Sequence, residues 1–194
     1  MSPTLSSDPS QPMDPAALHA RLVALLEERS VRRGRFVLAS GKESDFYVDA
    51  RQTTLHAEGA AIIAAMILDR LHPDVVGVGG PVTGADPIAG AVAALSFLRG
   101  RPVHGFMVRK EPKGHGLKQW LEGRANLPNG SPVCIVEDTV TTGGSLLRAV
   151  ERVQEAGLEV VQVIAVVDRE EGAAERIAAA GLRLETLVTR SELG

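Results

Sequence analysis

Residues 133–145 read V-C-I-V-E-D-T-V-T-T-G-G-S. Val133, Cys134, Ile135 and Val136 form an apolar run of the kind that fills a parallel strand buried on both faces. The run delivers Glu137 and Asp138 to the carboxyl end of that strand. Thr139, Val140, Thr141, Thr142, Gly143, Gly144 and Ser145 then supply backbone N–H groups and hydroxyls at the start of a helix, which makes an anion cradle beside two carboxylates. With a phosphate on the N–H groups, the acids face something that needs hydrogen-bond acceptors or negative charge: ribose hydroxyls, a hydrated Mg2+ or a developing sugar cation. A phosphorylated sugar meets that description. The run lacks the Gly-x-x-x-x-Gly-Lys of a nucleoside-triphosphate loop and the Gly-x-Gly-x-x-Gly of a dinucleotide site.

The rest of the chain repeats the strand-to-helix alternation. After the acid pair, residues 144–156 read as a helix, 159–167 as a strand, 171–180 as a helix and 182–188 as a last strand. At the other end, Asp14-Pro15 places an acidic N-cap before proline at the first helical position. Leu18, Leu22, Leu25 and Leu26 recur at helical spacing, so a helix runs to about residue 31. Residues 35–38 and 45–49 read as short strands around Ser40-Gly41-Lys42, and 56–71 as an alanine-rich helix. A buried strand at 75–79, a glycine loop at 80–84, a helix at 86–98 and a strand at 102–108 follow. Residues 109–129 carry much charge and little periodicity and read as one long loop, whose length marks it as functional. The pattern predicts an α/β fold: a mostly parallel central sheet flanked by helices, with its site at the carboxyl ends of strands.

A chain of 194 residues suits one domain. Residues 1–13, with three prolines and four serines, read as a disordered tail, leaving 14–194 as the folded unit. Formal charge is only −3, so no global basic field points to nucleic acid or an anionic membrane. No segment approaches the roughly 20 apolar residues of a membrane span, and a cytoplasmic protein is expected. The lone Cys134 reads as a reduced core thiol. Charge is nevertheless concentrated locally. Arg109, Lys110, Lys113 and Lys118 against Glu111 give +3, with His115 besides, while the remaining residues sum to −6.

The acid-pair run resembles the 5-phosphoribosyl-1-pyrophosphate (PRPP) motif of the type I phosphoribosyltransferases. R-K-E-x-K-x-H-G at residues 109–116 resembles the mobile catalytic loop of one subfamily, the orotate phosphoribosyltransferases. F-V-L-A-S-G-K-E-S-D-F-Y-V-D at 36–49 is similar to that subfamily's amino-terminal hairpin, V-G-G-P-V-T-G-A-D-P-I-A at 78–89 to its pyrophosphate loop, and V-V-D-R-E-E-G at 166–172 to the segment that holds the orotate carboxylate. The resemblance implies a type I phosphoribosyltransferase-like fold with a small hood at about 14–55, a core at about 56–190 and a long mobile catalytic loop.

As activity, the resemblance implies that orotate and PRPP give orotidine 5′-monophosphate and pyrophosphate, a step of pyrimidine synthesis. Glu137 and Asp138 would hold the ribose and face its cationic ring, and residues 139–145 would bind the 5′-phosphate. Arg109, Lys110, Lys113 and His115 would neutralise the leaving pyrophosphate, with Thr83 and Lys42 also at the donor. Thr141 and Arg169 would orient orotate, and Phe46 and Tyr47 would wall in its ring. Mg2+ would be held mainly by substrate and water, with no dedicated protein ligands. A homodimer with shared sites is implied, in which the loop reaches into the partner. Two departures stand out. Ala39 occupies the place of a lysine found in many relatives, leaving Lys42 as the nearest substitute, and Val82-Thr83 replace an aromatic-lysine pair. Two other readings share the acid-pair run. A purine-type transferase would not need Arg169 or the 36–49 hairpin, and a PRPP-sensing regulator would need a basic face or an added DNA-binding segment.

Overall fold

The computed structural model describes residues 14–37, 43–113 and 119–194. The tail at 1–13, the Ala39 and Lys42 positions, His115 and Lys118 lie outside the described residues. Helix α1 (Pro15–Arg29) starts as its cap dictates: the Asp14 carboxylate accepts from the Ala16 N–H at 3.1 Å, and Leu18, Leu22, Leu25 and Leu26 are all buried. It ends short of residue 31, because Val31 opens strand β1 (Val31–Val37) and the Ser30 hydroxyl bonds Thr53 Oγ1 at 2.7 Å in the interior. Strand β2 (Glu43–Val48) pairs antiparallel with β1, Val31 opposite Val48 and Arg33 opposite Phe46. A single-turn helix α2 (Arg51–Thr54), absent from the sequence reading, links this ribbon to α3 (Ala57–Leu68).

Beyond it come β3 (Gly77–Pro81), α4 (Asp86–Leu98), β4 (His104–Lys113), β5 (Gln119–Glu122), β6 (Pro132–Val140), α5 (Gly144–Glu155), β7 (Glu159–Asp168), α6 (Ala173–Ala179) and β8 (Leu184–Thr189). They form a six-stranded sheet in the order β5-β4-β3-β6-β7-β8, parallel throughout except for the antiparallel edge strand β5. The chain leaves β3 through α4 toward β4 on one side, and after β5 it passes back across to β6 on the other. The crevice at the carboxyl ends of β3 and β6 is therefore the switch point where α/β sheets place their ligands.

The unbroken apolar run of β6 now has its reason. Cys134 and Val136 face the core shared with α1, α3 and α4, while Val133 and Ile135 face the core shared with α5 and α6. Both faces are covered, so no position is left for a polar residue. Each such side chain contributes about 1.5–3 kcal/mol on leaving water. Burial pushes the Cys134 thiol far up, which keeps it protonated.

Two sequence expectations are corrected. Residues 109–129 are not one unstructured loop: β4 runs on through Lys113, and Gln119–Glu122 returns beside it as β5. The pattern missed this hairpin because its partner strand is short and its charged residues do not alternate with apolar ones. Second, β6 continues past the acid pair to Val140, with Thr139 opposite Val167 and Val140 opposite Asp168 in the ladder. Among the described residues no helix is long and apolar enough to cross a membrane.

Candidate active site

The end of β6 brings Glu137 and Asp138 into a cavity of about 610 Å3. Its walls are Tyr47, Asp49 and Arg51 after the hairpin, Pro81 to Gly84 after β3, Val108, Arg109 and Lys110 on β4, and Ser145, Arg148 and Arg152 on α5. Gly84 is required at its position. A Cβ there would stand 2.5 Å from Asp138 Oδ1 and 3.0 Å from Glu137 Oε1, so only glycine lets the loop after β3 lie against the acids. Gly143, at φ +74°, makes the left-handed turn that opens α5.

Glu137 is 6 % exposed and accepts from the Ser145 hydroxyl at 3.2 Å. Burial, and next the neighbouring charge of Asp138, push its carboxyl up to about 8 against the pull of Ser145. Burial likewise raises Asp138, opposed by the Thr139 N–H, which donates to Oδ1 at 2.7 Å, and by the charge of Arg51. At neutral pH Glu137 therefore keeps its proton.

This arrangement costs stability. An unfolded glutamate loses its proton near 4.5, whereas native Glu137 keeps it to about 8. Between those values the native state binds the extra proton, so stability falls as pH rises. Glu137→Gln is neutral throughout and removes the cost. Thermal melts of the ligand-free protein should show the variant more stable than the parent, with a gap that widens from pH 5 to pH 8 and reaches on the order of 2–4 kcal/mol. A gap that is constant with pH would contradict the assignment.

The turn after β6 is narrower as an anion cradle than the sequence suggests. The Thr139 N–H is taken by Asp138, and Thr139 and Val140 belong to the ladder. The Leu147 N–H already closes the first helical bond, to the Gly143 carbonyl. Donors for an anion therefore come from Thr141, Thr142, Gly143, Gly144 and Ser145.

Of the basic residues, Arg109 and Lys110 line the same cavity as the acids of their own chain. This corrects the expectation that the loop delivers all its cations to a partner. Arg109 is held there by Glu122 at 3.0 Å. Lys113 ends β4, and Thr83 lines the cavity.

The expected orotate set is divided. Adjacent strand residues face opposite ways, so Tyr47 lines the acid-pair cavity while Phe46 is buried behind β2. Phe46 there meets Arg190, whose guanidinium lies 5.1 Å from its ring centre. Arg169 shares a second cavity with Phe46, Arg33 and Arg190, and its guanidinium pairs with Glu171 at 2.8 Å. Its backbone N–H donates to the Val140 carbonyl at 2.9 Å, which sets Arg169 beside Thr141 at the carboxyl ends of β7 and β6. Arg169 is 8 % exposed, and among the described residues its buried Nε has no hydrogen-bond partner.

Sequence reasoning missed Arg51, Trp120, Arg148 and Arg152 as cavity residues. A signal existed for two of them: Ser145, Arg148 and Arg152 recur at helical spacing from the cradle, on one face of α5.

The Phosphoribosyl transferase domain family matches residues 51–181. The orotate phosphoribosyltransferase of Sorangium cellulosum is 50% identical over 179 residues, 91% of this chain and 93% of the relative. That of Rhodopseudomonas palustris is 47% identical over 183 residues, 93% of this chain and 98% of its own. Among solved structures, Mycobacterium tuberculosis orotate phosphoribosyltransferase in complex with Fe(III) dicitrate superimposes with a TM-score of 0.81 at 44% identity, covering 91% of this chain and 99% of that one. The same enzyme in complex with PRPP gives 0.77 at 41% identity, covering 91% and 99%. With the acid pair, the glycine loop and Ser145 at the start of α5 meeting at the switch point of a matching fold, the chain belongs to the orotate phosphoribosyltransferase family.

Proposed function

We propose that the acid-pair cavity transfers the 5-phosphoribosyl group from PRPP to orotate, giving orotidine 5′-monophosphate and pyrophosphate. The observation that carries the reading is the meeting of Glu137, Asp138, the Gly84 loop, Ser145 at the start of α5 and two cations in one cavity. The 5′-phosphate sits on the N–H groups of residues 141–145. Breaking the C1–O bond leaves the electron pair on pyrophosphate and positive charge on the ribose ring. Asp138 faces that charge, and Glu137 holds the ribose hydroxyls. Arg109 and Lys110, joined by Lys113 and His115, offset the negative charge of the departing pyrophosphate, and Thr83 and Lys42 complete the donor contacts. Orotate N1 bonds to C1 on the face opposite the leaving group and gives up its proton.

The donor set suits a substrate-held Mg2+. Glu137 and Asp138 would offer acceptors to its water shell. When bound, the ion neutralises donor phosphate charge. Arg169 exchanges Glu171 for the orotate carboxylate, a like-for-like swap on a planar fork. Thr141 and Tyr47 border the ring, whereas Phe46, on the opposite face of β2, does not reach it. The protein is read as a cytoplasmic homodimer in which Lys113 and His115 serve the partner's site.

The test is a spectrophotometric assay with PRPP, Mg2+ and orotate, uracil or hypoxanthine in turn. Orotate alone should turn over rapidly. Arg169→Ala should raise KM for orotate about 30-fold, the worth of a shielded charge-assisted pair, with KM for PRPP nearly unchanged. Equal turnover of uracil would overturn the assignment of the base.

A further inference from the structure

We propose that Trp120 and Arg152 are positioning residues that set the spacing between the leaving-group cations and the phosphate cradle, an inference that rests on the reading above. In the β4-β5 ladder Val108 lies opposite Leu121 and Lys113 opposite Gln119, with the register broken between them. Residues 109–112 on β4 are thus matched by one residue on β5, Trp120. A bulge of this kind re-aims the side chains of the longer strand, and here it turns Arg109 and Lys110 toward the acids.

Trp120 is the only residue opposing the bulge and the only tryptophan in the chain. Its ring carries the Arg152 guanidinium 4.0 Å above its centre. Arg152 is in turn held by Glu155 at 2.7 Å on the same helix. Trp120 also packs on the core beneath α5, against the cluster of Leu121, Ala149 and Val153. The helix that presents the cradle at its start therefore grips the bulge near its end. The Arg109 to Glu122 pair closes the hairpin on the other side of Trp120. Neither Trp120 nor Arg152 needs to touch the reacting atoms. Together they fix a two-point span: one end of the donor on α5, the other on the bulge.

A span of this kind acts on one half of the donor and on the rate, because a displacement of about 1 Å in a reacting group can cost 10²-fold. Trp120→Ala and Arg152→Gln should each weaken binding of Mg2+-pyrophosphate about fivefold and lower kcat about 30-fold, as a part-exposed cation–π contact and the aim it gives the bulge are lost. Binding of ribose 5-phosphate, which needs the cradle alone, should stay within about twofold, as should KM for orotate. Trp120→Phe keeps a π face and should recover most of kcat. Since Trp120 is the sole indole, its emission should shift when Mg2+-pyrophosphate binds, and Arg152→Gln should abolish that shift. Calorimetry with the two probes, beside steady-state rates and emission spectra, makes the comparison. Parallel weakening of ribose 5-phosphate and pyrophosphate, or wild-type behaviour of Arg152→Gln, would overturn the proposal. If Trp120→Ala does not fold, Arg152→Gln and Trp120→Phe carry the same comparison. A parent protein that turns over no orotate would instead overturn the functional reading.

Discussion

Asp138→Asn should lower kcat by about 10²–10³ while the affinity for PRPP changes less than threefold, the signature of a charge that acts when the sugar becomes cationic. Asparagine keeps the size and the acceptor that receives the Thr139 N–H at 2.7 Å, so the turn after β6 is preserved. What is lost is the negative charge beneath the ring. Glu137 is held protonated up to about 8, so at neutral pH it supplies little negative charge in place of Asp138. Glu137→Gln should therefore be the milder change. The measurement is a full rate analysis beside direct titration of PRPP. Equal losses in affinity and turnover would place Asp138 in ground-state binding instead.

Lys110→Ala should cost about 10² in turnover, since an exposed, flexible ammonium at the cavity wall acts mainly on the charge of the leaving group. The geometry also decides how this lesion combines with others. Lys110 lines the cavity of its own Glu137 and Asp138. In a heterodimer of Lys110→Ala and Asp138→Asn chains, each site then carries one lesion, and mixing restores nothing. A lesion in a residue lent across the two-fold axis behaves in the opposite way. Lys113→Ala with Asp138→Asn leaves one site with both lesions and one with neither, so activity should reappear on subunit exchange. Recovery in the first mixture would show that Lys110 crosses between subunits. No recovery in the second, despite exchange, would show that each chain closes its own site.

Much of this was legible in the chain itself. The cap at Asp14, the leucines of α1, the two-sided apolar run before Glu137 and the turn residues at 139–145 are local signals. Each is written within about ten residues, the range over which helical spacing, strand burial and capping act. The resemblance to one subfamily rested on the segments at 36–49, 78–89, 109–116 and 166–172, and the fold and family agree with it. Other features depend on which distant elements meet. That β4 and β5 form a bulged hairpin follows from cross-strand pairing and from a tryptophan anchored on α5, neither visible in the charged segment alone. Phe46 and Tyr47 looked equivalent as neighbouring aromatics, and only the position of β2 over the core decided which one faces the acids.

The sequence by itself determined the alternating α/β order, the acid pair and its anion turn, because hydrophobic periodicity and backbone donors are properties of contiguous residues. Only the tertiary structure decided the proton on Glu137, the cis placement of Lys110, the diversion of Arg169 to Glu171 and the enlistment of Trp120 and Arg152. Each of these depends on desolvation or on contact between segments far apart in the chain, and burial and charge proximity exist only once the sheet has brought those segments together.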